Sequence, residues 1–479
     1  MMVDYGIWTI ITPLVTIGLA IVTRQVILSL LAGIFVGFTV LNGFNPLLGV
    51  ESTLDGIVGI FASASSTRTI LFCFMVGGLI RLIQVTGGTK ALVRYLTEKA
   101  NIINNKKAVQ LLAMFITSVI FIESSISIMA AGTSTSELAK RYGVSREKMA
   151  YVIQASCVSV CSSIMINGWG AAMMGVIGVQ VSKGFLDGEP FAILAGSMVY
   201  NFMAWLSLAS VLFYILSGFK WGSMGESEVR AASGKELRDG AFPITSEDDV
   251  SIVESAQDKE SLLNFLVPLV PTILMVPIGL YITGGGDISN GSGSTSVFWG
   301  VMLGTLCSFI YFVGKKLLTI DSFFTHLFDG YASMIPLGAI MTLAFLMGNI
   351  SGDLNTGAYI TQAIDGVIPS GFSAAFVFLI AVVMGISTGT SWGTFSIMIP
   401  IGIQIGAAVG IEPQLMIGAA ISGAIFGDMT SPISDTGIVA SMATKNDHID
   451  HIRTQFPYAI VTGLLATVLF TVCGFSMIG

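Results

Sequence analysis

Long apolar runs separated by short polar stretches form the main pattern along the chain. Ten of these runs are long enough to cross a membrane as a helix, which takes about 20 residues. They cover residues 7–22, 26–41, 68–86, 149–181, 190–217, 263–282, 297–314, 331–349, 414–443 and 456–477. The pattern therefore predicts an all-α polytopic membrane protein with ten crossings.

Two further apolar runs, 108–139 and 372–409, are predicted to enter and leave the membrane on one side. Lys and Arg cluster at both ends of the first run, and basic loops lie on the cytoplasmic side. This run is therefore predicted to be a re-entrant hairpin with its tip near Glu123. Between Lys316 and Lys445 the chain has no Lys or Arg. The second run is therefore predicted to be a hairpin from the other side, with its tip at residues 387–394.

The two halves of the chain repeat the same order of elements at an offset of 267 residues, with opposite inferred orientation. Inverted repeats of this kind are typical of secondary transporters. Both termini are predicted to be extracytoplasmic. The predicted organisation begins with N-terminal membrane helices (1–50) and a first repeat (51–182), which contains hairpin 108–139 and broken helix 149–181. Connecting helices (183–316) follow, with a cytoplasmic linker at 219–262. The second repeat (317–443) contains hairpin 372–409 and broken helix 414–443, and a cytoplasmic loop with the last helix (444–479) ends the order.

Composition agrees with a membrane protein, because 53% of the 479 residues are apolar, 11% are charged and the mean hydropathy is +0.83. The five cysteines all lie in apolar runs, where thiols pack as small apolar groups. A net charge of −7 spread over loops does not favour nucleic-acid binding. No Walker A pattern is present, so transport would have to draw on ion gradients. No cofactor is expected beyond Na⁺ and H⁺ as coupling ions.

A polar segment with a proline, residues 426–437, interrupts the predicted helix 414–443. Pro432 has no N–H and disfavours helical backbone at Ser431, so the helix must open there. In a membrane, unwound backbone is tolerated only where protein buries it or a wet cavity lines it. Discontinuous helices at the midplane form ion sites in transporters. The sequence therefore predicts an ion or substrate site formed by Asp428, Thr430, Ser431, Ser434 and Asp435.

The two aspartates carry the predicted chemistry. Each carboxylate can hold a proton or a hard cation, so Na⁺ and H⁺ would compete for Asp428 and Asp435. The alternative is that Asp435 only caps the second half-helix and Asp428 faces a cytoplasmic vestibule. The other predicted ligands are polar groups of the hairpin tips and of the first broken helix: Thr388, Thr390, Ser391, Glu123, Ser124, Ser125 and Asn167. Na⁺ is assigned to Asp428, Asp435, Ser434 and Thr390.

Three polar features keep two interpretations each. Glu123 could be a further titrating group, or it could accept hydrogen bonds from the amides of Ser125 and Ile126. Gln154 could touch a solute or only join helices. Residues 447–451, Asp-His-Ile-Asp-His, have metal-compatible spacing but are more simply a short cytoplasmic loop.

Several motifs resemble those of the NhaC-type Na⁺/H⁺ antiporter family of the ion transporter superfamily. They are Gly-Thr-Ser-Trp-Gly-Thr at 389–394, Gly-Asp-Met-Thr-Ser-Pro-Ile-Ser-Asp at 427–435 and His-Ile-Arg-Thr-Gln-Phe-Pro-Tyr at 451–458. The segment 143–151 resembles the family's loop into its first broken helix. The resemblance implies an inner-membrane secondary transporter, not an enzyme, that forms a homodimer and works by alternating access through an elevator motion.

The first half departs from the family pattern. Glu123 and Ser124 stand where the family has an acidic pair, and Gln154 stands where an Asp is usual. Two functions are therefore expected from the sequence. One is exchange of Na⁺ for H⁺. The other is Na⁺- or H⁺-coupled transport of a small organic solute, an amino acid or a carboxylate, on the same fold. A channel or a membrane-embedded enzyme is the alternative to both from a different functional class.

Overall fold

The structure, a computed structural model, describes residues 5–23, 25–98, 105–121, 123–243, 261–354, 359 and 369–477. These ranges contain helices and connecting turns, and no strand occurs in them. The α-helices are α1 (Trp8–Thr23), α2 (Val26–Leu41), α3 (Pro46–Gly59), α4 (Ala64–Val85), α5 (Gly88–Glu98), α6 (Lys106–Val119), α7 (Ser124–Arg141), α8 (Arg146–Ser163), α9 (Gly168–Ser182), α10 (Pro190–Ser197), α11 (Phe202–Ser217), α12 (Gly222–Ala232), α13 (Leu263–Thr283), α14 (Gly293–Gly314), α15 (Ile320–Ser333), α16 (Ile335–Asp353), α17 (Ser373–Thr388), α18 (Ser391–Val409), α19 (Pro413–Thr430), α20 (Asp435–Ala443) and α21 (His448–Ser476).

Many of these helices are suited to a bilayer by length and composition. Seven are long and apolar enough to cross a membrane singly, namely α4, α13, α14, α16, α17 with the turn before it, α18 and α21. Two bent pairs pass the same test together: α8 with α9, and α10 with α11. The helices α1 and α2 are apolar but shorter. The prediction of an all-α polytopic membrane protein is therefore confirmed.

The two broken helices lie inside the bundle and other spans surround them. Every residue of α19 from Leu415 to Thr430 is buried, and α8 is buried along most of its length. In contrast, α13 and α21 expose large apolar side chains such as Leu274 and Leu464. Apolar side chains on the outside of a bundle face lipid, whose tails are as apolar as they are. The polar backbone breaks thus lie in the centre, away from lipid.

The two repeats match helix by helix. Corresponding helices begin 267 residues apart: α6 and α17 at 106 and 373, α7 and α18 at 124 and 391, α8 and α19 at 146 and 413, α9 and α20 at 168 and 435. In each repeat a helical hairpin (α6–α7, α17–α18) precedes a broken helix (α8–α9, α19–α20). The predicted fold class, two inverted repeats that each contain a hairpin and a broken helix, is confirmed.

Each broken helix restarts at a capping residue. Asn167 accepts a hydrogen bond from the amide of Gly170 through Oδ1 at 2.9 Å, and Ser434 accepts one from the amide of Gly437 through Oγ at 3.0 Å. Such caps satisfy amides that the first turn of a helix leaves unpaired. In the second break, Ser431 is extended, with ψ 131°, as the following Pro432 requires. The breaks are therefore built by local sequence in both halves.

The structure contains a bend that the sequence prediction missed. The run 190–217 was expected to be a plain span, but α10 and α11 meet at 46° around Asn201. The side chain of Asn201 is buried and bridges the two broken helices. Its Nδ2 lies 3.4 Å from Ser162 Oγ and 3.3 Å from Ser163 Oγ, while its Oδ1 accepts from Ser422 Oγ at 3.3 Å. The bend therefore brings one amide between α8 and α19.

The predicted polar linker at 219–262 begins with the short helix α12, and its residues 244–260 lie outside the described ranges. Glu228 on α12 accepts a hydrogen bond from the amide of Ser145 at 2.9 Å, just before α8. Glu236 pairs with Lys140 at 2.7 Å and also with Arg146. Partial burial opposes ionisation of Glu236, but the hydrogen bonds from both cations lower its pKa below the usual value. The described part of the linker is thus docked against the ends of α7 and α8.

Two glycines let the second hairpin approach the second broken helix closely. A Cβ atom at Gly427 would lie 2.4 Å from the Cα atom of Gly385, and one at Gly385 would lie 2.9 Å from the Cα atom of Gly427. Small residues permit such backbone contact between membrane helices. Gly427 directly precedes Asp428, so this contact fixes the position of that aspartate relative to the hairpin.

We expect Gly427→Ala to destabilise the protein by about 1–3 kcal/mol, because the added methyl group forces α17 and α19 apart. Thermal unfolding of the purified protein in detergent measures the effect. The matched control is Gly18→Ala in α1, where an added Cβ meets nothing within 4 Å. Alanine favours a helix over glycine by about 1 kcal/mol, so the control should not be destabilised. Equal melting temperatures for the two variants would contradict the close contact.

Candidate functional site

Asp428 lies at the end of α19 with 1% of its surface exposed, and three hydroxyl groups surround its carboxylate. Ser391, the first residue of α18, donates to Oδ2 at 2.9 Å. From the far side of the break, Ser434 and Thr436 donate to Oδ1 at 2.6 and 2.9 Å. Hydrogen bonds to a buried charged group compensate for its lost hydration. The hairpin tip and both half-helices therefore meet at one carboxylate.

Two of the three hydroxyls have a fixed donor direction. Ser434 Oγ already accepts the N–H of Gly437, and Thr436 Oγ1 lies 3.0 Å from the amide nitrogen of Gln154, which donates to it. A hydroxyl has one proton and two lone pairs, so each can still donate its proton to Asp428 and keep a lone pair free. The site thus presents carboxylate and hydroxyl oxygens together, which is the donor set that a hard cation prefers.

Two helix N-termini point at the same place. The helix α18 begins at Ser391 and α20 begins at Asp435, one residue after Ser434. The N-terminus of a helix carries a partial positive charge that stabilises a nearby carboxylate. In transporters with discontinuous helices, half-helix N-termini point at anionic groups, and here that group is the Asp428 carboxylate.

Four other predicted ligands of the second repeat make no hydrogen bond to Asp428 in the part of the chain that the structure describes, and three of them donate to backbone carbonyls instead. Thr430 donates to the Phe426 carbonyl at 2.7 Å and Thr388 to the Met384 carbonyl at 3.0 Å, each within its own helix. Ser431 donates to the Ile386 carbonyl at 2.7 Å and so ties the break to the hairpin. Thr390 is partly exposed, and no capping bond is made by its side chain. A ligand role for these four residues stays a prediction.

Asp435 lies on the solvent-accessible side of the break. It is exposed, as are Pro432 and Ile433, and its Oδ1 accepts a hydrogen bond from the amide of Thr436 at 2.8 Å. Ser434, and not Asp435, caps α20. The structure thus brings Asp428 into the buried cluster and leaves Asp435 at its accessible edge, with Ser434 between them in sequence.

The predicted residues of the first repeat lie at the matching tip and break. Glu123 caps α7, with Oε2 accepting from the amide of Ile126 at 2.8 Å, as one of its two interpretations proposed. The side chain of Ser124 lies 3.4 Å from Glu123 Oε1, and Ser125 is half-buried. Asn167 donates through Nδ2 to the carbonyls of Phe121 and Cys161 at 3.0 and 2.8 Å. These groups therefore hold the first hairpin against the first break.

Sequence reasoning missed Thr436 and Gln455, and it did not assign Gln154 and His451 to the buried cluster at Asp428. Thr436 touches Asp428 directly, and Gln154, Gln455 and His451 follow behind it. Residues 447–451, expected in a loop, instead start α21, and His451 is fully buried. The four-residue spacing of His451 and Gln455 on one helix face was a signal that could have suggested an internal polar contact.

Comparison with known proteins gives a family match over most of the chain. A family model described as the Na⁺/H⁺ antiporter family matches residues 160–475. An uncharacterised protein of Haemophilus influenzae is 28% identical over 100% of this chain and 93% of its own length. The malate-2H⁺/Na⁺-lactate antiporter of Bacillus subtilis is 39% identical over 24% of this chain and 25% of its own length.

Among solved structures, Neisseria gonorrhoeae MtrF, described as illuminating a class of antimetabolite efflux pumps, is similar in fold. The TM-score is 0.54 at 14% identity, and the match covers 88% of this chain and 84% of MtrF. At this identity the likeness concerns the fold alone.

We expect Thr436→Val to lower stability by about 1–3 kcal/mol, because it leaves a Gln154 donor and an Asp428 lone pair without a partner in a buried site. The midpoint of thermal unfolding measures this loss. Thr462→Val is the matched control, since Thr462 is also buried but its hydroxyl bonds within its own helix, to the Ala459 and Tyr458 carbonyls at 2.9 and 3.3 Å. If the control lost as much stability as Thr436→Val, the hydroxyl contact to Asp428 would contribute no more to stability than a hydrogen bond within a helix.

Proposed function

The chain belongs to the Na⁺/H⁺ antiporter family, and from that membership we propose that it exchanges Na⁺ for H⁺ at Asp428 by alternating access. The family, and the relatives that carry an activity in their name, are antiporters, so the protein is a secondary transporter and not an enzyme. The observation that carries the proposal is the buried carboxylate with three hydroxyls around it. Such a group can hold either a cation or a proton, and the two compete.

In the Na⁺-bound form, Asp428 supplies the charge and nearby oxygens complete the coordination. Ser434 and Ser391 already lie within hydrogen-bond distance of the carboxylate and can turn a lone pair toward a cation. Thr390 neighbours Ser391 at the same hairpin tip, and Asp435 neighbours Ser434 at the accessible edge. We assign Asp435 the role of drawing cations from water toward Asp428, because a carboxylate at the accessible edge of the site attracts cations.

Exchange follows from the geometry of the hairpin tip. Ser391 belongs to the second hairpin, whereas Asp428 belongs to the broken helix, so separating them removes one oxygen from the site. A proton needs only one oxygen, but Na⁺ needs several. Movement that opens this contact would therefore release Na⁺ and leave a carboxylate that binds a proton instead. This movement takes place within the second repeat, and an elevator motion of one repeat against the other would accompany it.

The cellular setting belongs to the proposal as well. The excess of Lys and Arg in the loops assigned to the cytoplasm supports insertion in the cell's inner membrane with both termini extracytoplasmic. The family resemblance supports a homodimer. The bilayer and a small cation are the partners that this function requires.

A second candidate function is cation-coupled transport of a small organic solute. Polar residues in the first half of the chain favour it. No acid replaces the expected Asp at Gln154, and three buried donors near the first break, Ser156, Ser159 and Trp169, have no hydrogen-bond partner among the residues that the structure describes. Unpaired buried donors are rare and suit a ligand carboxylate. The Bacillus subtilis relative, an antiporter of malate and lactate by name, gives the solute class to test first.

We expect Asp428→Asn to abolish Na⁺-driven proton movement in proteoliposomes, because the neutral amide binds neither Na⁺ nor a proton. Asp435→Asn should reduce the rate strongly. The matched control is Asp239→Asn, since Asp239 pairs with Lys235 in the exposed linker. A pH-sensitive dye inside the vesicles reports the activity. Wild-type activity in Asp428→Asn with an intact fold would refute the assignment of the site.

The same vesicles separate the two candidate functions. Na⁺-driven proton movement without added solute supports simple exchange, whereas Na⁺ uptake that requires a solute supports the second. Thermal-shift measurements with amino acids and carboxylates, with and without Na⁺, identify the solute, since a ligand that binds only the folded state raises its stability.

A further inference from the structure

Behind Asp428, a chain of buried polar side chains extends from α8 to the last helix. Gln154 on α8 contacts Thr436, and Gln455 on α21 donates to Gln154 Oε1 at 2.9 Å. His451, one turn before Gln455, has Nε2 at 3.0 Å from Gln455 Oε1. All three are 0% exposed. This series of side chains joins α8, α20 and α21 around the break. It ends at Thr436, which donates a hydrogen bond to Asp428.

Backbone carbonyls fix the orientation of both amides. Gln455 Nε2 also donates to the Met429 carbonyl, and Gln154 Nε2 lies 3.4 Å from the Asp428 carbonyl. A carbonyl oxygen only accepts, so the NH₂ group of each amide must face it. If either amide turned over, two oxygens would meet in a buried place, which is strongly unfavourable. Both glutamines therefore direct their donors toward the break.

The histidine fixes the other end of the chain. Gln455 Oε1 can only accept, so Nε2 of His451 carries a proton, and Nδ1 lies 3.0 Å from Ser441 Oγ. Each group then donates to the next, from His451 to Gln455, Gln154, Thr436 and finally Asp428. Thr436 receives a hydrogen bond from Gln154, so its only proton is free to point at the carboxylate.

We propose that Gln154 and Gln455 are positioning residues of the cation site, which hold the Thr436 hydroxyl as a donor to Asp428. This inference rests on the proposed function. Without the two amides, Thr436 could turn its proton away from Asp428, for example toward Ser434 Oγ at 3.2 Å. Asp428 would then lose one of its three donors, and the oxygens of the site would no longer be set for a cation.

A second pair of buried glutamines joins two helices by a hydrogen bond and lies apart from the Asp428 cluster. Gln404 on α18 donates to Gln180 on α9 at 3.2 Å, and both are nearly fully buried. Gln180 Nε2 has no hydrogen-bond partner, and neither residue has a hydrogen bond to Asp428 or its hydroxyls in the described ranges. This pair contributes packing and one hydrogen bond. It therefore provides a control of the same chemistry without the link to the site.

The test compares Gln455→Met with Gln404→Met in proteoliposomes. We expect Gln455→Met to raise the Na⁺ concentration for half-maximal exchange about 10-fold, the size of effect that outer partners have on metal sites. Both variants should lose thermal stability, but Gln404→Met should keep the wild-type Na⁺ dependence. An unchanged Na⁺ dependence in Gln455→Met would overturn the positioning role. Absence of any Na⁺ dependence in the wild type would instead refute the proposed function.

A double-mutant cycle with Thr436 tests the route. If Gln455 acts through the Thr436 hydroxyl, then Gln455→Met should have little further effect on Na⁺ half-saturation in a Thr436→Val background, although it still lowers the melting temperature. Thr436→Ser keeps the hydroxyl and should restore the sensitivity to Gln455→Met. Independent effects of the two variants on Na⁺ half-saturation would show that the glutamines act elsewhere, and would overturn the inference.

Discussion

The solvation of one buried charge governs this structure. A carboxylate in the interior of a membrane protein is stable only if polar groups replace its water, and at Asp428 the protein supplies three hydroxyls and the N-termini of two helices. None of these groups could be aimed at Asp428 by continuous helices. The break after α19 and the tip of the second hairpin are thus needed to solvate the buried charge. The contact between Gly385 and Gly427 keeps the hairpin and the broken helix close together.

The two repeats use one backbone plan for different chemistry. At the first break Asn167 caps α9 and also bonds to the Cys161 carbonyl, whereas at the second break Ser434 caps α20 and bonds to the Asp428 carboxylate. Cys161 and Asp428 are 267 residues apart, as are the two caps. The first half therefore preserves the architecture without the charge. The buried carboxylate of Asp428 therefore has no acidic counterpart at the first break.

Much of the fold could be predicted from sequence because apolar length and the placement of Lys and Arg reflect the bilayer directly. The break at Pro432 and the hairpins followed from backbone chemistry and charge. The bend at Asn201 did not, because an asparagine within an apolar run shows no preference until its partners on other helices are known. The position of Asp435 at an exposed edge and the contact of Thr436 with Asp428 depend on rotation about the helix axis, which periodicity does not fix in a segment of only nine residues.

The amide of Asn201 has a consequence for motion. It links the end of α8, in one repeat, with the middle of α19, in the other, through contacts of 3.3 to 3.4 Å that are longer than those around Asp428. Neutral hydrogen bonds of this length are weaker than the bonds to a carboxylate. In the proposed alternating-access cycle, the contacts of Asn201 would therefore cost little to break when the two repeats move relative to each other.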